Sequence, residues 1–187
     1  MELKTLYFTD KERDNTDDVL KVVRERAATA GIKKVLVAST SGKTAIRALE
    51  ALPGLQVIAV SHSTGYKEPN FQQFTEENRK VFEAKGGTLL TSQHTFAGVG
   101  RALRNKNETW SLSEILADTL RIMGDGFKVG CEIATMAADA GLVRTDEDII
   151  SIGGASKGVN TAILLTPVYS HFFFDLKIKE ILCKLHF

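Results

Sequence analysis

A chain of 187 residues with 43% hydrophobic and 25% charged residues has the composition of an ordinary globular protein with one sizeable core. Its net charge of +1 gives no electrostatic reason to expect nucleic acid as a partner or an anionic membrane surface, and no apolar run approaches the ~20 residues that a bilayer span requires. Met1-Glu2-Leu3-Lys4 lacks a signal-peptide core, and Cys131 and Cys183 match no CxxC pattern, so a cytoplasmic protein with two buried thiols is expected.

Leu3 to Phe8 has the bulk of a short strand, and Asp10 to Asp14 a charged loop. Asn15 or Thr16 suits a helix cap, with Asp17 and Asp18 at the positive end. Val19, Leu20, Val23, Ala27 and Ala30 keep helical spacing until Gly31. Val35-Leu36-Val37-Ala38 then reads as a buried strand, and Thr44 to Leu52 as a helix stopped by Pro53-Gly54.

Between that strand and helix lies Ser39-Thr40-Ser41-Gly42-Lys43-Thr44. Such a turn aims the first helical N–H groups and the positive end of the dipole out of the sheet's carboxyl edge. Four hydroxyls and one cation surround those amides, and Gly42 allows close approach to the backbone. Every group there suits a phosphate. Gly42-Lys43-Thr44 is nevertheless not a nucleoside-triphosphate P-loop, which needs glycine where this chain has Val37. The loop fits either an anion site or an ordinary helix start capped by Ser39, Thr40 or Ser41.

Two further strands end alike. Gln56 to Val60 exits into Ser61-His62-Ser63-Thr64-Gly65-Tyr66, and Thr88 to Thr91 into Ser92-Gln93-His94-Thr95-Phe96-Ala97-Gly98. Between them Thr75 caps a helix through Lys85, stopped by Gly86-Gly87. In open parallel sheets ligands bind outside the carboxyl ends of the strands, so three polar exits of one character favour a real site. His62 and His94 have no Cys or carboxylate at a metal-ligand spacing, so no metal is expected there. Each satisfies a loop hydrogen bond or contacts a ligand.

Gly98 to Thr109 reads as basic and irregular, with Arg101 able to turn towards a phosphate. Ser111 and Glu114 form a capping box for a helix from Leu112 to Met123, and Gly124-Asp125-Gly126 breaks it. The next helix carries Val129, Ile133, Met136, Ala137 and Ala140 on one stripe. Glu132, Thr135 and Asp139 form a second stripe, either a solvated face or a ligand contact. Asp148 to Ile152 is a strand that opens into Gly153-Gly154-Ala155-Ser156-Lys157-Gly158, and Ala162 to Thr166 is another. The glycine segment either turns the chain or offers the amides of Gly153 and Gly154, with Ser156, as a second contact for an anion or a ring edge. The tail from Phe172 is ambiguous between strand and helix. Phe172-Phe173-Phe174 is too large a patch to leave wet, so it covers the core or a partner subunit of a homo-oligomer.

Ser39 to Ala45 after a valine-rich strand resembles the phosphate-binding loop in the carboxyl-terminal α/β domain of pyruvate kinase, which in regulated kinases holds a phosphate of a sugar bisphosphate. Nearly the whole chain is similar to a group of stand-alone archaeal and bacterial proteins named for that domain. The matching stretches are Asn15-Thr16, Val37 to Ala45, Ser92-Gln93-His94 with Gly98-Val99-Gly100-Arg101, Glu132 to Gly141, Ile152-Gly153-Gly154 and Phe174-Asp175-Leu176. The resemblance implies a single three-layer α/β domain with a mostly parallel sheet, and a flavin mononucleotide (FMN) ligand. Its phosphate would lie on Ser39 to Thr44, with His62, Thr64, His94 and Ser156 near the ribityl chain or ring. These residues leave no room for the eight-stranded barrel that carries phosphoryl transfer, so kinase activity is not expected. The expected function is binding of a phosphorylated small molecule; the alternatives are a flavin-dependent oxidoreductase using the histidines and Glu132, or an assembly domain.

Overall fold

The computed structural model describes residues 2–155 and 157–187. A short strand β1 (Leu6–Phe8) leads to α1 (Thr16–Ala30), which buries Val19, Leu20, Val23 and Ala27 on one stripe and ends at Gly31 in the left-handed region. The parallel strands follow as predicted: β2 (Lys34–Ala38), β3 (Gln56–Ser61) and β4 (Thr88–Thr91), with α2 (Lys43–Ala51) and α3 (Glu76–Ala84) between them. Then come three helices, α4 (Gly98–Asn107), α5 (Leu112–Arg121) and α6 (Asp125–Asp139), and the hairpin of β5 (Ile149–Ala155) and β6 (Gly158–Thr166). A 3-10 turn (Ser170–Asp175) and β7 (Lys177–Leu185) close the chain.

The seven strands form one sheet in the order β1-β7-β6-β5-β2-β3-β4. Only the β5–β6 and β6–β7 pairs are antiparallel, because β6 alone runs against the rest. One face carries Val35, Val37, Val57 and Ala59 against α1, α2 and α3; the other carries Leu36, Ile58 and Val60 against α6. Alternate residues of β2 and β3 thus serve two separate cores, which is why those strands are apolar throughout. The chain is a three-layer α/β domain, as expected.

Four local expectations are corrected. Asn15 occupies the cap position of α1 without a side-chain cap bond; Asp14 instead accepts from the Thr16 amide at 2.9 Å. Gly98 to Asn107 is a helix, not an irregular segment, although it buries no residue and opens with two glycines that dilute its periodicity. The Ser111 hydroxyl makes no cap bond and reaches Glu114 at 3.3 Å, while buried Glu114 pairs with Arg104 at 3.2 Å. The break after α5 falls at residues 122–124, and Asp125 and Gly126 already belong to α6.

That last point has a steric cause. A Cβ on Gly126 would lie 2.4 Å from the Thr161 hydroxyl, and one on Gly153 would lie 2.1 Å from the Gly126 carbonyl. Helix α6 therefore rests directly on the β5 backbone and on the Asn160 and Thr161 side chains of β6, and glycine permits it. This close seat buries α6 nearly all round, so Glu132 and Thr135 are not on a solvated face; Asp139 is exposed and accepts from the Ser170 amide. Of the phenylalanine run, Phe173 packs edge-on against Phe96 at 5.2 Å, whereas Phe172 and Phe174 stay exposed. Cys131 and Cys183 are free, buried thiols, and burial pushes both up to about 12. Among the described residues no helix is long and apolar enough to cross a membrane.

Candidate functional site

Strand β2 lies between β3, reached through α2, and β5, reached from the far edge through α4 to α6. The chain thus reverses its direction of travel across the sheet between β2 and β5, and the crevice of such a sheet opens there. The Ser39 to Thr44 loop stands at that point.

The loop is held from below and open above. Gly42, at φ 96°, is the cap residue of α2 and has no side chain to close its first turn. Buried Ser39 takes over one part of that task, its Oγ accepting from the Ala45 amide at 3.3 Å. The Ser41 carbonyl accepts from Asn78 Nδ2 at 2.8 Å and from the Thr75 amide at 3.4 Å, fastening the loop to α3. The amides of Thr40, Ser41, Gly42, Lys43 and Thr44 have no partner among the described residues. The capping reading of the loop holds for Ser39, and the amides after it remain available to an anion.

Thr40, Ser41, Lys43 and Thr44 line a cavity of about 530 Å³, bounded across the switch point by Gly154, Ala155, Gly158 and Val159. Its cations are unequal. Arg47 is paired with Asp14 at 2.6 Å and Asp17 at 2.8 Å, whereas Lys43 is exposed and has no ion pair among the described residues. Ala38, Thr40, His62 and Val129 also border a second cavity of about 180 Å³, so the two adjoin along one crevice of the sheet edge. This size range suits a nucleotide-sized ligand.

Aromatic rings line the second cavity. His62 and Tyr66 have centroids 4.2 Å apart, and Tyr66 stacks on His94 at 5.2 Å. His62 Nδ1 meets Gln73 Oε1 at 2.8 Å, and the Ser63 amide donates to His94 Nε2 at 3.3 Å, which places the His94 proton on Nδ1. Burial holds His94 below the ordinary imidazole range; Glu132 opposes this, while His62, Lys128 and Arg101 add to it. His94 is neutral near pH 7 as a result. Glu132 Oε1 accepts from the Phe96 amide at 3.0 Å and its Oε2 pairs with Lys128, so both carboxylate oxygens are committed to the fold. Glu132 also lines the second cavity.

The predicted residues do not all converge. Ser39 and Thr40 line the crevice, as do Ser41, Lys43, Thr44, His62, His94 and Gly154. Gly42 does not: a Cβ there would lie 2.7 Å from both Phe74 and Asn78, so its glycine serves packing and backbone geometry rather than ligand approach. Gly153 is spent on the seat of α6. Thr64 lines a different hollow with Gln72, Phe74 and Leu89. Ser156 lies outside the described residues. Sequence reasoning missed Tyr66, Lys128 and Arg121 in the crevice wall. A lysine inside an otherwise small-residue apolar helix is the signal that marks Lys128.

Among solved structures, a lysine-to-alanine variant of O-ureido-L-serine synthase with O-ureido-L-serine bound is similar at 23% identity and a TM-score of 0.30. That match covers 58% of this chain and only 30% of the synthase. The family described as "Pyruvate kinase, alpha/beta domain" matches residues 17–165, a stretch that includes the loop and the five strands β2 to β6, apart from the last residue of β6. That match spans well over half of the sequence, and the chain belongs to the pyruvate kinase alpha/beta domain family.

Proposed function

We propose that this domain binds a phosphorylated small molecule, and that the molecule is FMN. The run of unpartnered amides from Thr40 to Thr44 carries this reading, since Thr40, Ser41, Lys43 and Thr44 line a cavity at the helix start. The phosphate sits on Ser41 to Thr44. The ring extends past Ala38 and Val129 towards His62 and Tyr66, where the two cavities adjoin. The aromatic faces of His62, Tyr66 and His94 there suit a planar ring, among polar groups able to bond its edge.

Titrating FMN against riboflavin, which lacks the phosphate, tests the assignment by quenching of flavin fluorescence. FMN is expected to bind more tightly by about 2–3 kcal/mol, and Lys43→Gln with Thr44→Val to remove most of that difference. Equal affinity for the two flavins would overturn phosphate recognition by the loop. Failure of both flavins, with retained binding of another phosphate ester, would overturn FMN alone. Gly42 is a poor place for the test, because any side chain there strikes Phe74 and unsettles the fold.

A further inference from the structure

We propose, taking the crevice as the ligand site, that its Arg101 end is a second anion subsite. It takes the carboxylate of a small organic acid lying beside the molecule held at Ser41 to Thr44. Arg101 stands in the first turn of α4, with its guanidinium carbon 5.5 Å from the centroid of the Tyr66 ring. Its Nε is buried and has no hydrogen-bond partner among the described residues. Buried polar groups are almost always satisfied, so an orphaned donor on a cavity wall marks a missing acceptor.

The neighbouring cations are already matched. Lys128 pairs with Glu132, Arg104 with Glu114 at 3.2 Å, and Arg121 with Asp118 and, at 3.3 Å, with Asp125. Arg101 has no carboxylate among the described residues. The guanidinium lies over the Tyr66 ring, and the fork of N–H donors on an arginine matches the two oxygens of a carboxylate. The cavity on this side, about 180 Å³, admits a small acid and not a second nucleotide. Neutral His94 lies in the same wall and offers no competing charge.

The test is a malonate titration of the whole chain, followed by the ring NMR signals of His94 and Tyr66, with inorganic phosphate as the second probe. Saturable malonate shifts at His94 and Tyr66 are expected, weakened about tenfold or more in Arg101→Gln and partly kept in Arg101→Lys. Thr44→Val leaves malonate affinity unchanged, and inorganic phosphate moves the Ser41 to Thr44 amides first. Unaltered malonate affinity in Arg101→Gln, shifts confined to residues 41–44, or no saturable binding by the native chain would each overturn the subsite. If Arg101→Gln does not fold, unaltered affinity in Arg101→Lys overturns it in the same way, because a lysine lacks the fork. The two readings fail separately. A chain that refuses FMN yet shows malonate shifts at His94 loses only the flavin, and one that binds FMN but shows no such shifts loses only the subsite.

Discussion

Asn78 of α3 donates its side-chain amide to the Ser41 carbonyl at 2.8 Å, and that one bond ties the candidate phosphate loop to a helix from the next βα unit. It turns the Ser41 carbonyl towards α3, where the Thr75 amide also donates to it at 3.4 Å. Asn78→Ala is expected to cost about 1 kcal/mol of stability and to speed hydrogen exchange at Ser41 to Thr44. Urea denaturation and amide-resolved exchange check this. Native exchange rates at those residues in the variant would mean that the loop keeps its shape without the clamp.

The Lys128–Glu132 pair is buried, with side chains 11% and 5% exposed. Removing one partner strands the other charge, so Glu132→Leu or Lys128→Met alone is expected to destabilise by about 3–5 kcal/mol. The double variant loses much less than the sum, although the Phe96 amide also loses its acceptor. Chemical denaturation of the four proteins measures the coupling; additive losses would show that the ion pair carries none.

Gly153→Ala introduces a methyl 2.1 Å from the Gly126 carbonyl, a backbone atom that cannot step aside. A loss of about 3 kcal/mol or more is expected, at the upper end of overpacking costs. Gly141→Ala serves as a contrast: the space is open there, and only the φ of 71° is strained. Comparable thermal midpoints for Gly153→Ala and the native chain would contradict the close seat of α6.

Acid sensitivity centres on Asp14. Burial opposes its ionisation, but the Thr16 hydroxyl and amide and the Arg47 guanidinium prevail and hold the carboxyl at about 2, below the ordinary aspartate value of 3.8. Because the folded value is depressed, the stabilisation is complete above 3.8 and is lost as pH falls through about 2. Denaturation midpoints between those limits should fall more steeply for the native chain than for Asp14→Asn. Parallel curves would remove Asp14 from the acid response.

Short-range signals in the sequence determined the β2–loop–α2 unit, the polar exits of β3 and β4, and the α/β class. Each depends on apolar runs, caps and glycines within a few neighbours, and those act the same way in any surroundings. Helix α4 and strand β7 were not legible, because α4 buries nothing and β7 takes its form from pairing with both β6 and β1. Residue roles also depended on packing. Gly153 and Glu132 resembled ligand contacts in sequence, yet the seat of α6 on β5 commits the first to backbone contact and the second to Lys128 and Phe96. Only the tertiary structure set Tyr66, Lys128 and Arg101 around one cavity, since they come from a loop and two helices with no sequence periodicity in common.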